Sequence, residues 1–78
     1  MTQSYDKLLD TSDLRCPMPL LKTKQSLSSL TEGQILKVIS TDAGSWRDIP
    51  AFIDMSAHHL IEKAQNQGQY IYIIQKGV

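Results

Sequence analysis

A short apolar run in the middle of the chain sets the expected architecture. It covers Ile35–Ser40, reads Ile-Leu-Lys-Val-Ile-Ser, and lies between the turn-forming residues Gly33 and Asp42. A run of this length, closed by turn signals on both sides, is typical of a strand buried within a sheet. We therefore predict that Ile35–Ser40 is a central strand against which the other elements pack.

The segment before this strand predicts an amphipathic helix. It begins after the cysteine, at a pair of closely spaced prolines, and its residues Leu20, Leu27 and Leu30 share one helical face. Gly33 suits the left-handed conformation that often ends a helix. We therefore expect this helix to end near Thr31–Gly33.

The segment after the strand predicts a second, shorter helix over Asp48–Ser56. Its apolar residues recur at the spacing of one helical face, at Ile49, Phe52 and Ile53. Asp48 is expected to be the N-cap, because Pro50 then falls in the first turn, where its missing N–H breaks no bond. Ser45 with Asp48 also matches a capping box, but a start there would place Pro50 deeper and cost a hydrogen bond.

Three further strands are expected near the ends of the chain. Tyr5–Asp10 contains a leucine pair and is followed by turn-forming residues at 11–13. His59–Gln65 and Tyr70–Gln75 flank an Asn-Gln-Gly turn, which is the pattern of a hairpin. In the last strand the two tyrosines would share one face and the isoleucines at 71 and 73 the other, so that one side of the sheet is covered and the other is more exposed.

This order of elements, β-α-β-α-β-β, predicts an α+β fold. The economical packing is a two-layer α/β sandwich, in which two helices cover one face of a four-stranded mixed sheet. A chain of 78 residues is long enough for one hydrophobic core and too short for two. We therefore expect a single domain over residues 1–78.

Composition excludes several classes of function. Eight Lys and Arg balance eight Asp and Glu, so no overall field gathers nucleic acid or an anionic membrane. The first residues lack the apolar run of a signal peptide, and no stretch of eighteen apolar residues occurs. We expect a cytoplasmic protein without membrane insertion and without stable, direct binding to nucleic acid.

The single cysteine, Cys16, is the main candidate for chemistry. One cysteine forms neither an internal disulfide nor a multi-thiolate metal site, which leaves an inert buried thiol or a reactive one. Cys16 stands where a loop becomes a helix, near the N–H groups of Met18 and Leu20 and the positive end of the helix dipole. Pro17 and Pro19 would pre-organise that turn, and Arg15 would add positive charge. This setting predicts an anionic sulfur.

The sequence offers no evident base or metal ligand set for Cys16. The two histidines, His58 and His59, are adjacent and precede the third strand, where a structural role at a helix-to-strand turn is favoured. Neighbouring residues on a strand point to opposite faces, so the pair makes a weak metal site. We expect no metal and no cofactor.

Two blocks of the sequence resemble a known family. Residues 14–19, Leu-Arg-Cys-Pro-Met-Pro, followed by the leucine-rich helix, resemble the Cys-Pro-x-Pro signature of the TusA/SirA-like sulfur carrier proteins. A second block, formed by Thr41–Asp42 and Asp48–Phe52 and continued by His58 and Leu60, is similar to the second motif of that family. The chain departs from residues common in the family at Met18, Ala43, Ile53 and Ala57. These departures leave the thiol motif whole, although they bear on which pathway is served.

The resemblance implies a fold, an activity and partners. It implies a sandwich like the C-terminal domain of translation initiation factor three. It also implies that Cys16 accepts sulfane sulfur as a persulfide from a cysteine desulfurase or rhodanese-like donor and relays it to an acceptor protein, as in thiolation of the tRNA wobble uridine. The motif residues supporting the thiol would be Arg15, Pro17, Met18 and Pro19, and the candidate partner surface comprises Lys22, Trp46 and Arg47.

Two other functions remain open on the sequence alone. In an RNA-binding module, Trp46 would stack on a base and Arg47 would contact phosphate, although the neutral net charge counts against this. The favoured alternatives are that Trp46 packs over the start of the second helix or that it forms part of a protein-binding surface. In a redox-regulatory protein, Cys16 would instead react with oxidants to form a sulfenic acid or a mixed disulfide.

Overall fold

The computed structural model describes residues 4–78, and the elements in that range follow the predicted order. The strands are β1 (Lys7–Thr11), β2 (Ile35–Ser40), β3 (His59–Asn66) and β4 (Gln69–Gln75), and the helices are α1 (Met18–Ser28) and α2 (Ser45–Asp54). The expectation that the opening residues hold no signal peptide falls in part on residues 1–3, which lie outside the described range.

Within residues 4–78 the strands form a mixed four-stranded sheet in the order β1-β2-β4-β3. β2 pairs in parallel with β1, where Leu9 lies opposite Val38, and antiparallel with β4, where Val38 lies opposite Tyr72. β3 pairs antiparallel with β4. Because β2 has a hydrogen-bonded neighbour on each side, the prediction of a central strand over Ile35–Ser40 is confirmed, as is the α+β class.

The hydrophobic core lies between the helices and one face of the sheet. Its buried members come from both helices and both central strands: Leu27, Leu36, Val38, Ile49, Ile53, Tyr72 and Ile74. Leu20 and Leu30 pack against this cluster, which confirms the apolar face predicted for the first helix. The alternation of buried residues in β2 shows that its even-numbered side chains face the helices.

The opposite face of the sheet is the more exposed one, as expected, except at Ile73. Ile73 alternates with the core residues Tyr72 and Ile74, yet it is also fully buried. β4 lies between two strands, and their register places Lys37 and Glu62 beside Ile73. Side chains directly opposite each other share a face, so Lys37 and Glu62 flank the isoleucine on this face of the sheet.

The predicted start of the second helix was wrong. α2 begins at Ser45 with Gly44 as the N-cap, and Pro50 lies inside the helix. The Ser45 hydroxyl donates to the carbonyl of Asp42 at 2.8 Å, and its oxygen lies 2.7 Å from the buried Tyr72 hydroxyl. This anchor to the core holds the first turn in place, and it outweighs the single backbone bond that Pro50 removes.

Other boundaries also differ from the sequence prediction. α2 ends at Asp54 and not at Ser56, β1 begins at Lys7 and not at Tyr5, and each hairpin strand extends one residue closer to the turn. α1 ends at Ser28, where the Ser29 hydroxyl donates to the Ser26 carbonyl at 2.8 Å. Gly33 does adopt a positive φ, of 91°, but it does so in the following turn and not as the helix cap. β1 extends to Thr11, whose hydroxyl donates 2.6 Å to the carbonyl of Ile39 on β2.

The predicted hairpin between β3 and β4 is confirmed. Its two-residue turn is Gln67–Gly68, and both residues have positive φ angles, 51° and 82°. Two successive positive φ angles characterise the type I′ turn, whose twist matches that of the flanking strands. The hairpin places β4 in the interior of the sheet and leaves β3 at its edge.

Candidate functional site

Two loops at one end of the sheet carry the candidate site. One follows β1 and the other follows β2, and because these strands are parallel, both loops leave from the same end of the sheet. The backbone N–H of Asp13 in the first loop donates to the Thr41 hydroxyl in the second at 2.8 Å. This bond ties the loop that carries Cys16 to the loop that leads into α2.

The Cys16 thiol is exposed and contacts a carboxylate. Its Sγ lies 3.3 Å from Oδ2 of Asp48, with the thiol as donor. Asp48 is in the first turn of α2, and its side chain is 23% exposed. Pro17 follows Cys16 through a cis peptide bond and is the N-cap of α1, so the thiol stands one residue before the cap.

Electrostatics at the site favour a neutral thiol. The hydrogen bond to Asp48 raises the pKa of Cys16 above its ordinary value, and desolvation and the negative charges of Asp48 and Asp42 act in the same direction. Arg47 opposes them and is the smaller influence. The prediction of an anionic sulfur was therefore wrong for the free protein.

The helix start does not offset these carboxylates. The Met18 N–H, expected to face the sulfur, donates instead to the carbonyl of Arg15 at 2.8 Å. The charged group that lowers the Cys16 pKa is Arg47, which lies on α2 and not in the loop of the cysteine. Sequence proximity placed Arg15 beside the cysteine, whereas the fold brings in the acidic groups of the second loop.

Asp42 is the second acidic residue of the site. Its Oδ2 is buried and has no hydrogen-bond partner within the described part of the chain. Gly44 lies against both acidic and thiol groups, since a Cβ there would stand 2.9 Å from Asp42 Oδ2 and 3.8 Å from the Cys16 Cβ. A side chain at Gly44 would therefore displace the Asp42 carboxylate.

Asp48 also contacts a cation. Nε of Arg47 lies 3.6 Å from Oδ1 of Asp48, and the Arg47 side chain is 88% exposed. An ion pair this open to solvent contributes little to stability. The Asp48 carboxylate therefore lies between two groups, with the Cys16 thiol at Oδ2 and the exposed Arg47 guanidinium at Oδ1.

A groove of about 380 Å³ runs between the two loops. It is lined by Asp13, Leu14, Arg15, Thr41, Asp42 and Ala43. Polar atoms dominate the lining, so the groove suits an extended peptide or polar side chains better than an apolar ligand. It therefore gives the surface around Cys16 a concave, polar flank.

The residues proposed for support lie around the thiol with different exposures. Arg15, Pro17 and Met18 are exposed, whereas Pro19 is buried in the first turn of α1. Lys22, proposed for a partner surface, is half-buried on α1. The motif thus presents three residues outward and uses the last proline for packing.

Trp46 packs against the sheet. Its ring centroid lies 5.8 Å from that of Tyr70 and 6.2 Å from that of Tyr72, and Nζ of Lys63 lies 4.1 Å from the ring centroid. These contacts leave the indole half-buried at the start of α2, as in the favoured packing alternative. Arg47, the next residue, points outward and reaches the site through Asp48.

The two histidines lie at the helix-to-strand turn, as predicted. Nδ1 of His58 accepts the Gly77 N–H at 2.9 Å, and its ring lies 6.0 Å from that of Phe52. Burial lowers the pKa of His58. Across residues 4–78, no three His, Cys, Asp or Glu side chains are grouped so as to hold a metal ion.

Sequence reasoning missed Asp48 as a contact of the thiol. It was assigned to the helix cap, yet the structure gives α2 no side-chain cap bond and turns the carboxylate toward Cys16. The available signal was its place in the second motif block, which stands far from Cys16 in sequence. Only the pairing of β1 with β2 makes the two blocks neighbours.

The fold and site define a small α+β domain that displays one thiol beside a carboxylate at one end of a mixed sheet. The family model described as sulfurtransferase TusA matches residues 7–76. The chain belongs to the TusA family, which confirms the resemblance seen in the two sequence blocks.

Curated relatives match over nearly their whole length. The chain is 41% identical over 76 residues to a protein of Pseudomonas aeruginosa named sulfur carrier protein TusA, covering 97% of this chain and 96% of the relative. It is 39% identical over 72 residues to the protein of the same name from Allochromatium vinosum, covering 92% and 95%. A Bacillus subtilis relative, named putative sulfur carrier protein YrkI, is 40% identical over 72 residues, covering 92% and 96%.

A solved structure has the same fold. The SirA-like protein of Desulfitobacterium hafniense matches with a TM-score of 0.80 at 20% identity, covering 94% of this chain and all of that one. At 20% identity the match shows only that the two proteins share an architecture. Separately, no helix in residues 4–78 is long and apolar enough to cross a membrane.

Proposed function

We propose that this protein is a sulfur carrier in which Cys16 accepts sulfane sulfur as a persulfide and passes it to an acceptor protein. Membership of the TusA family and relatives named as sulfur carriers support the proposal. The main observation for this proposal is that the Cys16 thiol is exposed, on a loop that is hydrogen-bonded to the loop after β2. An exposed thiol is the form that a second protein can reach.

The proposed donor is a cysteine desulfurase or a rhodanese-like protein that carries its own persulfide. The Cys16 sulfur attacks the terminal sulfur of that persulfide, so one S–S bond forms at Cys16 and the donor's S–S bond breaks. The donor sulfur leaves with the electron pair of the broken bond and takes the proton that Cys16 gives up. The products are the Cys16 persulfide and the donor thiol, and no further oxidant or reductant is needed.

In the second step the same kind of exchange moves the sulfur from Cys16 to the acceptor protein. An acceptor thiol gives up its proton and attacks the terminal sulfur on Cys16, so a new S–S bond forms at the acceptor and the S–S bond at Cys16 breaks. The Cys16 sulfur leaves with the electron pair of the broken bond and takes up the proton. We place this relay in the cytoplasm, where thiols are kept reduced, and upstream of thiolation of the tRNA wobble uridine. The carrier itself binds proteins in this scheme and makes no stable contact with the tRNA, in keeping with its balanced charge.

Both partners must bind reversibly, which favours a small polar interface around the thiol. The exposed side chains beside Cys16 that suit such an interface are Arg15, Met18 and Arg47. Lys22 on α1 and the groove between the two loops extend the same surface. Charged groups in this arrangement set the rate and the choice of partner more than the affinity.

Mass spectrometry tests the proposal directly. The protein is incubated with a cysteine desulfurase, its pyridoxal phosphate and free cysteine, and intact mass is measured without reductant. We expect the wild type to gain the mass of one sulfur atom, localised to Cys16, and Cys16→Ser to gain none. A wild type that stays unmodified beside a desulfurase shown to be active would contradict the proposed function.

A further inference from the structure

Two acidic side chains and one basic side chain surround the Cys16 sulfur. Asp48 accepts the thiol hydrogen at 3.3 Å, and Asp42 adds a negative charge from the loop after β2. Arg47 is the basic group, and it reaches the sulfur only through its charge, since its contact is with Asp48 at 3.6 Å. The balance at the site is therefore unfavourable to a thiolate, although the proposed transfer requires one.

We propose that Asp48 holds Cys16 in the neutral thiol form while the carrier is free, and that a cationic side chain of the sulfur donor releases the thiol by neutralising Asp48. The proposal rests on the carrier role proposed above and assigns Asp48 as the residue that regulates it. Asp48 is a positioning residue, because it sets the state of the reacting sulfur and receives no sulfur itself.

The hydrogen bond explains how Asp48 acts. A carboxylate accepts hydrogen bonds and offers none, so at 3.3 Å it stabilises the S–H form and repels the thiolate. Thiolate is the nucleophilic and oxidisable form, so an exposed cysteine in this setting reacts slowly with small electrophiles and oxidants. An idle carrier is thereby protected although its sulfur is open to solvent.

The position of Asp48 makes the restraint reversible. Its side chain is 23% exposed, and its Oδ1 faces the surface guanidinium of Arg47. A second cation at this oxygen would remove the charge that opposes ionisation of Cys16, at the same time as it docks the donor. The sulfur donor that fits this site therefore carries a basic residue beside its persulfide sulfur.

In the loaded form Sγ carries the second sulfur in place of its hydrogen, so the hydrogen bond from the Cys16 thiol to Asp48 is lost. The terminal sulfur of a persulfide stands about 2 Å beyond Sγ, the length of an S–S bond. The sulfur that reacts in the second step is this terminal sulfur, and not the Sγ that is hydrogen-bonded to Asp48 in the empty carrier. Asp48 therefore restrains the empty carrier more than the loaded one.

The test measures the thiol itself and needs no sulfur donor. The ionisation of Cys16 is followed by thiolate absorbance, and the rate of alkylation by iodoacetamide is measured across a pH series. For Asp48→Asn we expect a lower thiol pKa and faster alkylation at neutral pH. Each unit of lowering should raise the rate about threefold, because the larger ionised fraction is partly offset by weaker nucleophilicity.

Matched variants separate this effect from net charge and from folding. Asp54→Asn removes the same charge from the exposed end of α2 and should leave the alkylation profile unchanged. Arg47→Gln should shift the profile in the opposite direction to Asp48→Asn. Asp48→Ala should repeat the effect of Asp48→Asn without any amide at the site, and circular dichroism checks that each variant is folded.

Two results would overturn the inference. One is an alkylation profile for both Asp48 variants that coincides with the wild type. The other is an equal acceleration by Asp54→Asn, which would assign the effect to net charge. Neither bears on whether Cys16 takes sulfur from a desulfurase, so failure of the carrier role and failure of the Asp48 role are told apart.

Discussion

The hydroxyl groups of Ser45 and Tyr72 lie 2.7 Å apart in the interior of the protein. This contact joins the first residue of α2 to a fully buried side chain of β4. Because Ser45 also donates to the Asp42 carbonyl, the same hydroxyl orients the loop that holds one acidic group and the helix turn that holds the other. The surroundings of the Cys16 thiol are thus built from the core outward.

Replacing Tyr72 with Phe should lower the free energy of unfolding by about 1 kcal/mol. The ring is kept, so the loss is that of one buried hydrogen bond to Ser45. Tyr70→Phe is the matched control, since that ring packs on the same Trp46 but is only half-buried. Urea unfolding of the two variants measures the difference. Equal stability of both would show that the Ser45 contact contributes nothing.

Replacing Gly44 with Ala should disturb the thiol site more than the fold. The added Cβ would stand 2.9 Å from Asp42 Oδ2, so the carboxylate must move, while the Gly44 φ of −62° suits any residue. We expect a changed pH profile for Cys16 alkylation. Gly33→Ala should do the reverse: its φ of 91° costs about 1 kcal/mol of stability with no change at the thiol. Similar effects of the two substitutions on alkylation would refute the assignment.

Stability should fall as the pH is lowered through the titration of His58. Burial, and the charges of Lys76 and His59, hold the pKa of His58 below 6.5, so the unfolded chain takes up its proton first. The stabilisation from neutral His58 is present above pH 6.5 and is lost as the pH falls toward the folded pKa. Denaturant unfolding at a series of pH values measures the slope. His58→Asn should flatten it, and an unchanged slope would count against this source.

Replacing Gly77 with Ala should destabilise the segment that follows β4. A Cβ there would collide with the Ala57 carbonyl, and relieving the collision would break the bond from the Gly77 N–H to His58. We expect a loss of about 1–3 kcal/mol in the free energy of unfolding. Val78→Ala, at a side chain that is 94% exposed, should have little effect. Comparable losses in the two variants would refute the steric explanation.

Much of the fold was predictable because it depends on local patterns. The apolar run of β2, the leucine face of α1 and the Gly-containing hairpin each carry their signal within a few residues. The start of α2 was not predictable in the same way. Ser45 is an ordinary helix-start residue in sequence, and its decisive partner, Tyr72, lies 27 positions away.

The candidate site, like the fold, was predictable only where it depends on local sequence. The sequence alone, with one cysteine between a loop and a proline-rich helix start, identifies the Cys16 sulfur as the candidate for chemistry. The protonation state of that atom was decided by tertiary structure. Parallel pairing of β1 and β2 brings Asp42 and Asp48 to Cys16, and the packing of Ser45 on Tyr72 holds them there. Charge acts through space, so residues distant in sequence set the state of the thiol more than its own neighbours do.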